Sequence, residues 1–151
     1  MLSSDRVSEF LEQCTGFIRR QFLVFAVVTP CAIVLGLVYL VVGGPSPEGD
    51  MSAALQRQVV EAGLQDAVRF LGPLPPEQLR QPLSAADVFV LPSLLEACPT
   101  VALEALACGT PVVSSDNPGG VELGALFGPD VTVVPREDAA ALADALIRFL
   151  Q

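Results

Sequence analysis

Two carboxylates eight positions apart, Glu96 and Glu104, bracket the stretch of this chain best suited to chemistry. It reads Glu96-Ala-Cys-Pro-Thr-Val-Ala-Leu-Glu104 and runs on into Ala105-Leu-Ala-Cys-Gly-Thr-Pro-Val-Val113. The pattern places Glu96 in a loop after an apolar strand, and Glu104 one turn inside the helix that follows. A helix starting near Thr100 directs free backbone N–H groups and its positive dipole end into the same crevice. A diphosphate could sit there, flanked by carboxylates able to accept hydrogen bonds from hydroxyl groups. On residue type and spacing alone, two glutamates beside a strand–helix loop are ordinarily solvated surface residues, so their surroundings must decide.

Composition narrows the chemistry. Seventeen acidic residues face eight arginines, with no lysine and no histidine, for a net charge of −9. A surface of that sign repels phosphate backbones, which argues against nucleic acid as a partner. Without histidine the commonest general base and metal ligand are missing, so carboxylates, arginines, hydroxyls, thiols and backbone amides remain. The four cysteines, Cys14, Cys31, Cys98 and Cys108, form no C-x-x-C pair. They read as free thiols of a reducing compartment, and no metal site is expected.

The elements that must position these groups follow from the apolar pattern. With 151 residues, 52% of them apolar, the chain can bury the core of one domain. Ser52 can cap a helix to about Ala62 that Gly63 ends, followed by a strand at 68–71. Pro76 opens a helix in which Pro82 predicts a kink or an early stop. Asp87–Leu91 and Thr110–Ser114 read as buried strands, with a helix from its cap Thr100 to Cys108 between them. A strand at 131–134 and an amphipathic helix at 137–150 complete the series. Asp87 reads as a structural residue at a strand start. Apolar strands alternating with helices predict an α/β fold, a Rossmann-like doubly wound parallel sheet covered on both faces.

The N-terminal third fits less well. Phe22–Val42 is a 21-residue run without a charge, preceded by Arg19 and Arg20. It reads as a membrane span, or as a strand over 37–42 entering the Gly43-Gly44-Pro45 turn. The strand leaves Phe22–Gly36, 15 residues, short of the roughly 20 that a span needs. The two readings exclude each other, and the strand is the expectation adopted. The chain then divides into an atypical apolar, helical segment at 1–36 and a domain at 37–151.

Ordered blocks across that domain carry a resemblance. They are Val41-Val-Gly-Gly-Pro45, Val68-Arg-Phe-Leu-Gly72, Ala85-Ala-Asp-Val-Phe-Val-Leu-Pro-Ser93, the double-glutamate stretch, Gly109-Thr-Pro-Val-Val113, Gly119-Gly-Val-Glu122 and Val133-Val-Pro135. Together they resemble the donor-binding, C-terminal domain of the retaining GT-B glycosyltransferases of group 1. The resemblance implies a nucleotide-sugar donor as substrate, an unknown acceptor, and no further cofactor. By position, Glu96 resembles the catalytic-site residue that holds the donor sugar's hydroxyls, and Glu104 the one that binds the ribose. Ala97, Cys98 and the backbone amides of Thr100 and Val101 would line the sugar and distal phosphate. The Phe70-Leu71-Gly72 turn resembles the segment along the nucleobase; by itself it reads equally as strand-end packing. Gly43-Gly44 could cradle phosphate but reads mainly as a turn, Gly119-Gly120 as a helix start or a pocket wall, and Arg136 could touch the donor but reads mainly as a solvated loop position.

This sequence also departs from the family pattern. Ala97 stands where the family usually has Gly. The family's Arg and Lys, on the domain's first strand and following loop, have no aligned counterpart, and the acceptor domain has none either. In the doubly wound order 3-2-1-4-5-6 the first strand lies mid-sheet. Phe22–Val28 could fill that place, but Thr29–Val38 barely accommodates a crossover helix. The sheet is therefore incomplete, or the N-terminal third is a foreign start on a truncated domain, the second being favoured. The chain alone is expected to transfer no sugar. The rival reading is a non-catalytic remnant, or a membrane-tethered module that keeps the nucleotide crevice. A sugar-nucleotide 2-epimerase is a weaker alternative, because its chemistry depends on histidine. The expected compartment is the cytoplasm, with membrane association through 22–42 if the span forms.

Overall fold

The computed structural model describes residues 24–28, 38–42, 52–66 and 68–149. Its elements run β1 (Val24–Val28), β2 (Val38–Val42), α1 (Ser52–Glu61), β3 (Val68–Phe70), α2 (Pro76–Ala85), β4 (Val88–Leu91), α3 (Thr100–Ala107), β5 (Val112–Ser115), α4 (Pro118–Phe127), a 3-10 turn (Gly128–Asp130), β6 (Val131–Val134) and α5 (Ala139–Phe149). The described strands form one sheet in the order β3-β2-β1-β4-β5-β6.

Strands β2 and β3 pair in parallel, as do β4, β5 and β6. The central place belongs to β1, which runs antiparallel to both of its neighbours. The sheet is thus complete across its middle, and the parallel pattern expected of every strand holds for all but this one. Connection length explains the reversal. Nine residues, 29–37, separate β1 from β2, whereas a parallel crossover needs a dozen or more; an antiparallel return needs only a few. With Val24–Val28 and Val38–Val42 both extended, Phe22–Val42 is not one helix. Among the described residues no helix is long and apolar enough to cross a membrane.

Period-two alternation divides β4 between two cores. Phe89 and Leu91 face a cluster with Leu83 of α2, Ala102 and Ala105 of α3, Leu123 of α4, Val112 and Val131. Val88 and Val90 face the other side, with Val113, Val134 and Leu142, Ala145 and Leu146 of α5. Every residue of β4 and β5 is buried. Covering on both faces is what makes these strands continuous apolar runs.

Helix ends follow local chemistry. Gly63 takes φ +65° after α1, and Leu64 N–H reaches back to the Val59 carbonyl at 2.9 Å, so the last turn closes in a Schellman arrangement. Pro82 does not stop α2, which continues to Ala85. The missing N–H is offset because Leu83 is 2% exposed and its carbonyl accepts the Thr110 hydroxyl at 2.6 Å. The closing helix begins at Ala139, two residues later than predicted, because the Asp138 carboxylate accepts the Ala141 N–H at 2.9 Å and caps it.

Asp87, just before β4, has a buried Oδ2 with no hydrogen-bond partner. Burial pushes its carboxyl above the ordinary 3.8, with its own backbone N–H pulling the other way. The folded state therefore holds this proton more tightly than the unfolded chain, and stability rises as pH falls through the folded pKa toward 3.8. Asp87→Asn removes the charge and is expected to raise stability at pH 7, with the gain shrinking toward pH 4. Urea titrations at both pH values measure it. A less stable variant at pH 7 would mean that the carboxylate gains more from its surroundings than its burial costs.

Candidate functional site

Because β2 to β6 share a direction, their carboxyl ends and the loops that leave them lie along one sheet edge. In an open α/β sheet this is the ligand edge. Glu96 sits there in the loop 92–99 between β4 and α3, and the Phe70–Gly72 turn sits there after β3. Three inter-strand steps separate β3 from β4, on the order of 14 Å. Glu96 and the Phe70–Gly72 turn thus lie well apart along this edge.

Three contacts pin the glutamate-bearing loop. The Ser93 carbonyl accepts Asn117 Nδ2 at 2.9 Å and also the Ser115 hydroxyl. The Glu96 carbonyl accepts the Gly119 N–H at 2.9 Å. The Leu94 carbonyl accepts Arg136 Nη1 at 3.4 Å. Asn117 is fully buried; its Nδ2 also reaches Ser115 Oγ at 3.1 Å, while its Oδ1 caps α4 by accepting the Gly120 N–H at 2.8 Å. The two glycines at the start of α4 let the helix approach this closely. A Cβ on Gly119 would lie 2.9 Å from Pro99 Cδ and 3.0 Å from the Glu96 carbonyl oxygen.

The Glu96 side chain is half-buried, whereas Ala97, Cys98 and Glu104 are exposed. Thr100 is the first residue of α3 and not its cap: Pro99 holds the cap position, where no side chain caps the helix. The Thr100 N–H donates to the Cys98 carbonyl at 2.9 Å, and Ala102 and Leu103 both donate to the Pro99 carbonyl. The expectation that Thr100 and Val101 together present free amides thus narrows to Val101, because the Pro99 turn consumes the other donors. Glu104 lies one turn further on, on the outer face of α3. Phe70 and Leu71 are half-buried, and Gly72 takes φ +69° at the end of its turn.

Arg136 is not a lone solvated residue. Its Nε and its backbone N–H each donate to Asp116 Oδ1 at 2.9 Å. The backbone N–H first, and then the guanidinium, hold the Asp116 carboxyl below its ordinary 3.8 against an opposing effect of desolvation. Leu94, Asp116, Pro135, Arg136 and Glu137 surround a cavity of about 430 Å³ at the carboxyl ends of β4, β5 and β6. No cluster of three or more metal-ligating side chains occurs among the described residues. Arg19, Arg20, Cys14, Cys31 and Gly43-Gly44 lie outside those residues.

Sequence reasoning missed Ser93, Ser115, Asn117 and the Asp116–Arg136 pair. One signal was present: Asn117 before Pro118 is a cap residue followed by proline at the first helical position. The pairing of Asp116 with Arg136 spans 20 positions and leaves no local trace.

Comparison with known proteins agrees with this geometry. Residues 34–151 match the family model described as Glycosyl transferases group 1. A D-inositol 3-phosphate glycosyltransferase of Corynebacterium urealyticum is 43% identical over 112 residues, covering 74% of this chain and 26% of that protein. A sucrose-phosphate synthase of Thermosynechococcus elongatus superposes with a TM-score of 0.62 at 40% identity, over 74% of this chain and 28% of that one. Anabaena HepE, solved in complex with UDP-glucose, superposes with a TM-score of 0.59 at 27% identity, over 66% of this chain and 27% of that one. The chain thus spans about a quarter of the length of the curated relatives it matches. Its sheet order, its glutamate-bearing edge loop and the family match over 34–151 lead to one statement: the chain belongs to the group 1 family of glycosyl transferases.

Proposed function

We propose that this chain binds a nucleoside-diphosphate sugar along its carboxyl edge and forms the donor-binding part of a glycosyltransferase. That enzyme would move the sugar to an acceptor with retention at the anomeric carbon. The observation that carries the reading is the loop 92–99, pinned through Ser93 and Glu96, which delivers Glu96 to the ligand edge beside the start of α3. Glu96 accepts hydrogen bonds from the donor sugar's hydroxyls, with Ala97 and Cys98 against the same sugar. The Val101 N–H and the dipole of α3 face the distal phosphate, and Glu104 takes the ribose. The Phe70–Gly72 turn borders the base. That HepE was solved with UDP-glucose supports a nucleotide-sugar ligand for the shared edge.

A second reading, a module that binds the donor without turning it over, is favoured by β1. This strand reads Val-Phe-Ala-Val-Val, carries no cation, and runs against the direction of its neighbours. The strand at this place in the sheet thus supplies no positive charge for a departing diphosphate. Thermal-shift measurements with UDP, GDP, ADP and their sugars test both readings together. Stabilisation by one nucleotide series supports donor binding, and product release with that sugar then separates the enzyme from the module. No shift with any of them would overturn both.

The ribose assignment gives a sharper expectation. Two hydroxyl-to-carboxylate hydrogen bonds are charge-assisted, each worth roughly 1.5–3 kcal/mol. Glu104→Gln keeps the shape and part of the acceptor capacity, so nucleoside-diphosphate affinity should fall about tenfold or more. The same change should cost much less with a 2′,3′-dideoxy nucleotide. Calorimetry on both proteins with both ligands measures this; equal losses would place Glu104 in support of α3 and not on the ligand.

A further inference from the structure

We propose that Arg136 is a positioning residue for Glu96, tying the glutamate-bearing loop to the turn after β6; this rests on the donor-binding reading above. Arg136 reaches two neighbouring loops at once. Its Nη1 donates to the Leu94 carbonyl at 3.4 Å, two residues before Glu96, and its Nε and backbone N–H both close on Asp116 Oδ1 at 2.9 Å. The bond to Leu94 fixes a peptide plane between the pins at Ser93 and Glu96, both of which come from the β5–α4 side. Arg136 therefore brings in a third strand, β6, as a reference for where Glu96 stands. A lysine could not do this, because a single ammonium lacks the planar fork that spans a carboxylate and a carbonyl.

The turn is built for this purpose at a local cost. Glu137, directly after Arg136, takes φ +59°, a left-handed conformation that disfavours residues with a side chain. Such strain persists where the surroundings over-determine the backbone, and at a site it often serves geometry. Here the surroundings are the two bonds from Arg136 to Asp116. The Arg136 and Asp116 side chains are 46% and 45% exposed, so the pair adds little to stability. Its consequence is where the loop sits, and removing it should leave the fold standing.

The test uses the full chain with Arg136→Met and Arg136→Lys, read by hydrogen exchange and by calorimetry with UDP and UDP-glucose. In Arg136→Met the Gly119 amide, which donates to the Glu96 carbonyl, should exchange at least about fivefold faster, while those of Leu142 and Leu146 in α5 stay as in the parent. The preference for UDP-glucose over UDP should fall at least about threefold, with UDP affinity itself unchanged. Arg136→Lys should lie between the two. Unchanged exchange at Gly119, or equal weakening of UDP and UDP-glucose, would overturn the proposal. A parent chain that binds neither ligand would instead count against the donor reading, and the exchange data would still decide the tie.

Discussion

Gly120→Ala should cost more than about 4 kcal/mol and leave the chain largely unfolded under conditions in which the parent is native. A Cβ at this position would overlap the Ser115 carbonyl oxygen and lie 2.6 Å from Ser114 Oγ and 3.3 Å from Ser114 Cβ. The obstacle is the backbone and inner face of β5, where both serines are buried, and a packed interior yields to it only by moving whole elements. Helix α4 would have to lift from the sheet, breaking the Gly120 N–H bond to Asn117 and with it the cap. Two neighbouring glycines supply the scale. A Cβ on Gly124 meets only Val133 Cγ2, at 2.8 Å, the tip of a partly exposed side chain that can turn away. A Cβ on Gly119 meets Pro99 and Glu96, in a loop that can shift by a few tenths of an ångström. Urea midpoints should therefore fall in the order Gly124→Ala, Gly119→Ala, Gly120→Ala, from least to most damaged. A Gly120→Ala variant as stable as Gly124→Ala would mean that α4 does not approach β5 this closely.

What could be read from the sequence was local. The apolar run of β4 and the Gly63 and Gly109 stops announce themselves within a few residues, because periodicity and left-handed backbone act at short range. The strand order was inferred from the fold class, and the position of Glu96 followed from where loops leave parallel strands. The direction of β1 was not legible as a pattern, since Val24–Val28 reads the same either way; only the nine-residue connection to β2 carries the information. Helix α2 passes through Pro82 because Leu83 and Thr110, 27 positions apart, hold its last turn. The same holds at the site. Glu96 and Glu104 stood out in sequence, but what fixes the Glu96 loop comes from Asn117, Gly119 and Arg136, each more than 20 positions away. The availability of the Thr100 amide depended on how Pro99 turns the chain, which spacing does not encode.

Asn117→Ala should destabilise the chain by about 1–3 kcal/mol: a helix cap is lost, worth roughly 0.5–2, and so is the hydrogen bond to the buried Ser93 carbonyl, worth roughly 0.5–1.5. Asn117 is fully buried and uses both ends of its amide. Its oxygen must face the Gly120 N–H, and its nitrogen must face the Ser93 carbonyl, so the chemistry of the partners fixes the orientation. This asymmetry makes Asn117→Asp the more informative change. Aspartate keeps an acceptor for Gly120 and favourable charge at the start of α4. It also sets a carboxylate oxygen against the Ser93 carbonyl oxygen in a fully buried site, where Asn117 had donated. Burial and that opposing oxygen both raise the pKa of the new carboxyl. Its folded-state pKa would then exceed the unfolded value, so stability is lost as pH rises through it and recovered as pH falls. Protonated, the group can donate to Ser93 much as the amide did. Urea titrations at pH 4.5 and 7.5 should show Asn117→Ala low at both, and Asn117→Asp as low as Ala at 7.5 but substantially restored at 4.5. An aspartate variant matching the parent at pH 7.5 would mean that the bond to Ser93 contributes nothing. The loop bearing Glu96 would then be held from Ser115, Gly119 and Arg136.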